Sequence, residues 1–228
     1  MKFFLLFLFF ITSFFANEKY AYFIEPKDYQ IVNPNAYTKH VKIGFIKKSL
    51  SSFSNSINLA TQETSLNIDE YSKEVERTIN QDENSKWSKI GFFKTKNYSV
   101  YLAKIEKLTK FGNVQMLQMY YIENNFAYVI TAASLKENFL KNLKIFKEVI
   151  ESFEISDDIF SFLHSSQSED IKKEYFDCIK INKDKNKKFI YKNLKEFEKI
   201  ISKKKFRLSN HFKFMLLKDL SNKLLKTL

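Results

Sequence analysis

From about residue 20 to residue 133 the apolar positions fall in short aromatic and β-branched runs; a four-and-three spacing then takes over, and from about residue 157 the chain is basic and free of glycine and proline. Tyr20 to Ile24 and Val41 to Ile46 read as strands, separated by Pro26 and by Asn33-Pro34-Asn35. Proline presets φ and asparagine tolerates the left-handed region, so both punctuate turns. Ile57 to Thr64 is a third strand. Asn67-Ile68-Asp69-Glu70 then supplies an N-cap and an acidic first turn, and Tyr71, Val75 and Ile79 recur every fourth residue, which predicts a helix over 68–80. Trp87 to Thr95, Tyr98 to Leu108, Asn113 to Glu123 and Phe126 to Ala132 follow as four strands joined by Lys96-Asn97, Lys110-Phe111-Gly112 and Asn124-Asn125. Tight turns between such runs predict an antiparallel meander.

The next helix, 134–153, has the sharpest signal: Ser134 and Glu137 stand at capping-box spacing, and Phe139, Leu143, Phe146, Ile150 and Phe153 form one stripe. A stripe on a helix directly after a meander is most simply core, buried against the sheet.

These segments carry a resemblance. The Trp-led strand Trp87-Ser88-Lys89-Ile90-Gly91, the strand pair turning at Lys110-Phe111-Gly112, and Tyr128-Val129-Ile130-Thr131-Ala132-Ala133-Ser134 leading through Phe139 to Ile150-Glu151-Ser152-Phe153 are similar in layout to the PsbP/DcrB superfamily over about residues 19–155. The resemblance implies an α+β fold: a twisted antiparallel sheet with helices packed on its faces, a PsbP-like α/β sandwich, here followed by an α-helical C-terminal extension. It implies an exported accessory or partner-binding protein and brings no shared active site. No residues here match the metal-binding role of the photosynthetic members.

The first sixteen residues place the chain in a compartment. Lys2 precedes an apolar run of about 13 residues, Phe3 to Phe15, broken only by Thr12 and Ser13 and followed by Ala16 and polar Asn17-Glu18-Lys19. This reads as a signal peptide cut after Ala16, too short an apolar run for a membrane span. The domain division is then 1–16 leader, 17–156 sandwich, 157–228 basic helical extension. With no cysteine near the cut, lipid anchoring is not expected. The single Cys178 leaves an exported chain without an internal disulfide, so stability rests on packing.

Composition matters mainly through charge. Lysine and arginine number 38 against 26 acids, net +12, and residues 157–228 hold 18 basic against 10 acidic residues, two thirds of the excess. All but Arg77 and Arg207 of the basic residues are lysine, and lysine is a point charge rather than a bidentate phosphate fork. Within the extension, Ser156-Asp157-Asp158 and Ser168-Glu169-Asp170 read as helix starts, Phe189 to Ile201 as a helix, and Asn210 to Leu225 as a basic amphipathic helix. That last helix has Phe212, Leu216, Leu217, Leu220, Leu224 and Leu225 on one side and Lys213, Lys218, Lys223 and Lys226 largely elsewhere. Three roles compete for it. The helices pack on one another or on the sandwich; or the row Phe212, Leu216, Leu220 and Leu224 lies in a groove of an envelope protein; or Lys203, Lys204, Lys205 and Arg207, beside an amphipathic helix, hold an anionic membrane surface. Nucleic acid is not expected, because no recognition motif accompanies the charge and export removes the target.

Catalytic patterns are missing from the sequence. Three glycines in the whole chain exclude a glycine-rich phosphate loop, and His40, His164 and His211 have no second ligand at metal spacing. Cys178, within Tyr175-Phe176-Asp177-Cys178-Ile179, reads as a buried thiol, and Asp157-Asp158 and Glu169-Asp170 as helix-start acids. Asn97-Tyr98-Ser99 matches a glycosylation pattern and reads as a turn. The sequence therefore points to an exported, non-enzymatic interaction protein without cofactor, with a small-ligand or enzymatic pocket between sheet and helices as the alternative.

Overall fold

The computed structural model describes residues 18–32, 40–48, 53–163, 165–182, 186–203 and 206–226. The leader expected over 1–16, the turn expected at Asn33-Pro34-Asn35, and His164, Lys204 and Lys205 lie outside these. Nine strands, β1 (Tyr20–Tyr22), β2 (Gln30–Val32), β3 (Val41–Lys47), β4 (Asn55–Glu63), β5 (Ser85–Lys94), β6 (Ser99–Thr109), β7 (Gly112–Glu123), β8 (Phe126–Leu135) and β9 (Glu154–Ser156), are described. The helices are α1 (Ile68–Asn80), α2 (Lys136–Glu151), α3 (Ser165–Asn182), α4 (Lys187–Ile201) and α5 (Asn210–Leu225).

Strands β2 to β8 form one twisted antiparallel sheet in the order β2-β3-β4-β8-β7-β6-β5, and β1 pairs with β9 as a separate ribbon. Alternation divides the sheet residues between two faces. On one face Ile43, Phe45, Ile57, Leu59, Val100, Leu102, Leu117, Met119 and Ile130 meet Phe139, Phe146, Val149 and Ile150 of α2. On the other, Trp87, Tyr101, Ala103, Ile105 and Tyr120 meet Tyr71 of α1. The expected α+β sandwich is the observed fold.

Local signals held where short-range chemistry decides. Asn67 caps α1 through both arms of the box, its side chain accepting from Asp69 and Glu70 while Glu70 accepts from the Asn67 N–H. Asn124 and Asn125 turn β7 into β8 at φ of 52° and 61°, the twin left-handed pair of a type I′ hairpin. The Ser134–Glu137 box did not form: Ser134 is buried in β8, which runs on to Leu135 opposite Val114, and α2 starts at Lys136 without a side-chain cap. Continuing the ladder with β7 satisfied the backbone there better than a cap would. Ser156-Asp157-Asp158 likewise opens only a short 3-10 turn, Ile159–Phe162, with Asp158 accepting from Phe160 N–H. Strands β2 and β9, three residues each, had no periodicity to announce them.

Beyond β9 the extension builds its own cluster: Ile159, Phe160, Ile171, Tyr175, Cys178, Ile190, Phe197, Ile201, Phe206, Phe212, Leu216, Leu220 and Leu224. Tyr20 and Tyr22 of β1 pack onto it, while Phe214 of α5 packs onto the sandwich core.

Candidate functional site

Helix α5 has two working faces, and only one was legible in its leucines. Phe212, Leu216, Leu220 and Leu224, four residues apart, are 3, 0, 0 and 2 % exposed inside the extension. This corrects the expectation of a docking row, because side chains that fill the chain's own core are not presented to a partner or a lipid surface. Of the basic run, Lys203 and Arg207 are exposed, Arg207 at φ 45°, and Phe206 between them is buried.

The other face is the stripe His211, Phe214/Met215, Lys218, Asn222 and Lys226. It forms one wall of a cleft of about 550 Å³. Facing it are Glu18, Lys19, Tyr20 and Ala21 of the N-terminal segment, Lys42 and Ile43 of β3, and Leu59 and Thr61 of β4. Residues seven apart on a helix return to nearly the same azimuth two turns on, so His211 and Lys218 share this face roughly 10 Å apart along the axis.

The sheet side is shaped by a bulge. Register shifts between Val41 and Ile43, so Lys42 is the extra residue of β3. Bulges turn a backbone group out of its ladder. Here the Lys42 carbonyl accepts from Lys218 Nζ at 3.2 Å. Lys42 Nζ itself pairs with Glu18 Oε2 at 2.8 Å, and Thr61 Oγ1 donates to Glu18 Oε1 at 2.6 Å.

At the far end Asp219 accepts from Tyr20 Oη at 2.6 Å and from Tyr175 Oη, and pairs with Lys223 Nζ at 3.0 Å. One carboxylate thus ties β1, α3 and α5 together. Burial first, then the hydrogen bond to Asp219 and its charge, raises both phenols above their ordinary range. Lys19 is held by Glu123 at 2.5 Å and Asp157 at 3.6 Å. Lys218 differs: it is half-buried, its charge is disfavoured by burial first and then by Lys42, against a weaker opposing pull from Glu18, and among the described residues it makes no ion pair.

His211 sits at the joint between extension and sandwich. Its ring, 0 % exposed, lies 4.9 Å from the rings of Tyr22 and Phe23 and 5.4 Å from Phe45. Nδ1 lies 2.9 Å from the Phe23 carbonyl. A carbonyl only accepts, so Nδ1 carries the proton and Nε2 presents a lone pair. That Nε2 is buried without a hydrogen-bond partner among the described residues. Burial pulls the imidazole down to about 4 against a weaker opposing pull from the Phe23 carbonyl. Glu25 seats the helix start, accepting from the N–H groups of Asn210 at 2.8 Å and His211 at 3.3 Å.

The sequence reading missed this arrangement because lysines opposite a leucine row read as a solvated face. The unused signal was apolar Phe214 and Met215 interleaved with His211 and Lys218 at helical spacing. No group of three metal-ligating side chains occurs among the described residues, and no described helix is long and apolar enough to cross a membrane.

No protein-family model matches the chain, and no curated protein does. Similar solved structures include PsbP (CyanoP) from Synechocystis sp. PCC 6803, at 11% identity and TM-score 0.46, over 61% of this chain and 92% of that one. LpqN of Mycobacterium tuberculosis, involved in cell envelope biogenesis, is similar at 10% identity and TM-score 0.45, over 61% and 84%. The Saccharomyces cerevisiae Ran-binding protein Mog1p is similar at 10% identity and TM-score 0.42, over 61% and 96%. Likenesses this distant do not speak to what this chain binds.

Proposed function

We propose that this chain is an exported, non-catalytic binding protein of the cell envelope, and that its working site is the cleft between α5 and the β3–β4 side of the sheet. The carrying observation is the convergence of Lys218, His211 and the Lys42 bulge on a concavity that also has an apolar lining of half-buried Ala21, Phe214 and Met215 over the core residues Ile43 and Leu59. Apolar walls with a few placed polar groups are the usual build of a ligand site. Glu18, Asp157 and Asp219 are each held by a lysine, which suits binding better than proton transfer. Export rests on the apolar run Phe3 to Phe15. An envelope protein docking through the sheet domain or the tail, or an anionic membrane surface held by the basic run, takes second place, because the leucine row that would seat a protein partner on the tail, and would give the basic run its amphipathic neighbour, is core.

Uptake of the apolar dye Nile red by the full chain, purified from its expressing cells, tests the site. Ala21→Phe and Asn222→Trp obstruct the cleft from opposite walls. The expected result is enhanced emission in the wild type and its loss in both variants with unchanged circular dichroism. Emission that survives both substitutions contradicts a working cleft.

A further inference from the structure

Resting on that reading, we infer that the cleft takes an amphiphilic acid, with a carboxylate or phosphate at Lys218, an apolar body along Phe214 and Met215, and a hydroxyl or N–H donor at His211 Nε2.

Each part of the ligand answers a group on the page. Lys218 Nζ uses one donor on the Lys42 carbonyl and has two more. Lys42, Lys19 and Lys223 already have carboxylate partners, whereas Lys218 has none among the described residues. A half-buried ammonium with a carbonyl and an aromatic ring for neighbours, Phe214 lying 5.7 Å away, has no carboxylate in ion-pair contact, and the one that favours its charge, Glu18, is already held by Lys42 and Thr61. An acid headgroup supplies it through a charge-assisted hydrogen bond. Next along the face come the half-buried Phe214 and Met215, backed by the buried core residues Ile43 and Leu59, a stretch that accepts hydrocarbon and repels a second charge. At the end is His211, a lining residue with a buried ring, whose tautomer is fixed by Phe23 and whose protonation is opposed by burial, so its unpartnered Nε2 can only accept. A ligand without a donor leaves that acceptor unmatched. The backbones of His211 and Lys218 stand roughly 10 Å apart along the helix axis, which calls for a ligand whose two polar ends are separated by a hydrocarbon body.

The two sources of an acid headgroup, a free carboxylic acid and a lipid phosphate, are separable by competition. Bound Nile red is displaced from the full chain by ω-hydroxyoctanoate, octanoate, octyl phosphate and octanol in turn. The account expects ω-hydroxyoctanoate to displace at the lowest concentration, octanoate about tenfold higher, and octanol higher by a further factor of about ten, each factor corresponding to about 1.4 kcal/mol. Octyl phosphate below octanoate assigns a phosphate headgroup, and the reverse order a carboxylate. Lys218→Met, which keeps the stem and removes the charge, should abolish the preference for octanoate over octanol. His211→Phe, or His211→Gln should the first fail to fold, should abolish the preference for ω-hydroxyoctanoate over octanoate. Octanol displacing as well as octanoate, or an acid preference that survives Lys218→Met, overturns the inference. So does the failure of every acid to displace a dye whose uptake Ala21→Phe and Asn222→Trp still abolish, and in that case the cleft reading itself stands.

Discussion

Asp219 shows how one residue of the extension governs its attachment. Its carboxylate serves two phenols and an ammonium, and its side chain is only 12% exposed. Asp219→Ala leaves the hydroxyls of Tyr20 and Tyr175 without their acceptor, at a cost of about 2–3 kcal/mol in urea unfolding. Asp219→Asn, which keeps one acceptor, should cost less; equal stability of all three proteins would show that the network contributes nothing. His211 sets the response to acid. Its folded value of about 4 lies below the ordinary 6.5, so the unfolded chain takes up the proton first. The stability contributed by the neutral ring is therefore intact above pH 6.5 and falls away as pH drops to about 4, by up to about 3 kcal/mol. Unfolding free energies across that range should lose this component in His211→Phe relative to wild type. An identical slope in the two proteins would place the acid sensitivity elsewhere.

At the scale of elements, the sequence foretold what local chemistry decides. The Asn67 cap, the Asn124-Asn125 hairpin and the bounds of α5 were all readable, because each depends on residues within one turn of one another. The hairpin yields a direct check: Asn125→Val forces a β-branched side chain to φ near 61° and should cost about 1–2 kcal/mol, with Asn125→Gly close to neutral. What was hidden depended on distant partners. Ser134 stayed in its strand because β7 continued beside it. The lysine face of α5 gained its meaning only from the bulge at Lys42, more than 150 residues earlier, which no spacing rule connects to it. The leucine face is the mirror case: its periodicity was plain, but periodicity cannot tell a core from a docking surface. Leu216→Ala and Leu220→Ala should each destabilise the chain by about 2–5 kcal/mol, the cost of a cavity in a packed core. A change within about 0.5 kcal/mol, the size of an ordinary surface substitution, would restore the docking row.

Across the whole molecule, the cleft exists because the extension returns to the N-terminal segment. Tyr20 meets Asp219, Glu25 seats the start of α5, and the Phe23 carbonyl holds His211, so residues 20–25 position the helix that forms one wall while β3 and β4 provide much of the other. A sheet with α1 and α2 on its two faces is a common scaffold, and scaffolds do not specify function. The bulge, the stripe and the joint build the cleft, and none of them belongs to the segments that carried the resemblance to the PsbP/DcrB superfamily. The most direct test is a two-dimensional NMR titration of the full chain with ω-hydroxyoctanoate, following the methyl group of Met215 and the amides of Lys42, His211 and Lys218. The account predicts saturable shifts at these four positions and little change at Ile90 and Phe92 on the exposed β5 edge. Shifts centred on β5, or none at α5, would contradict it.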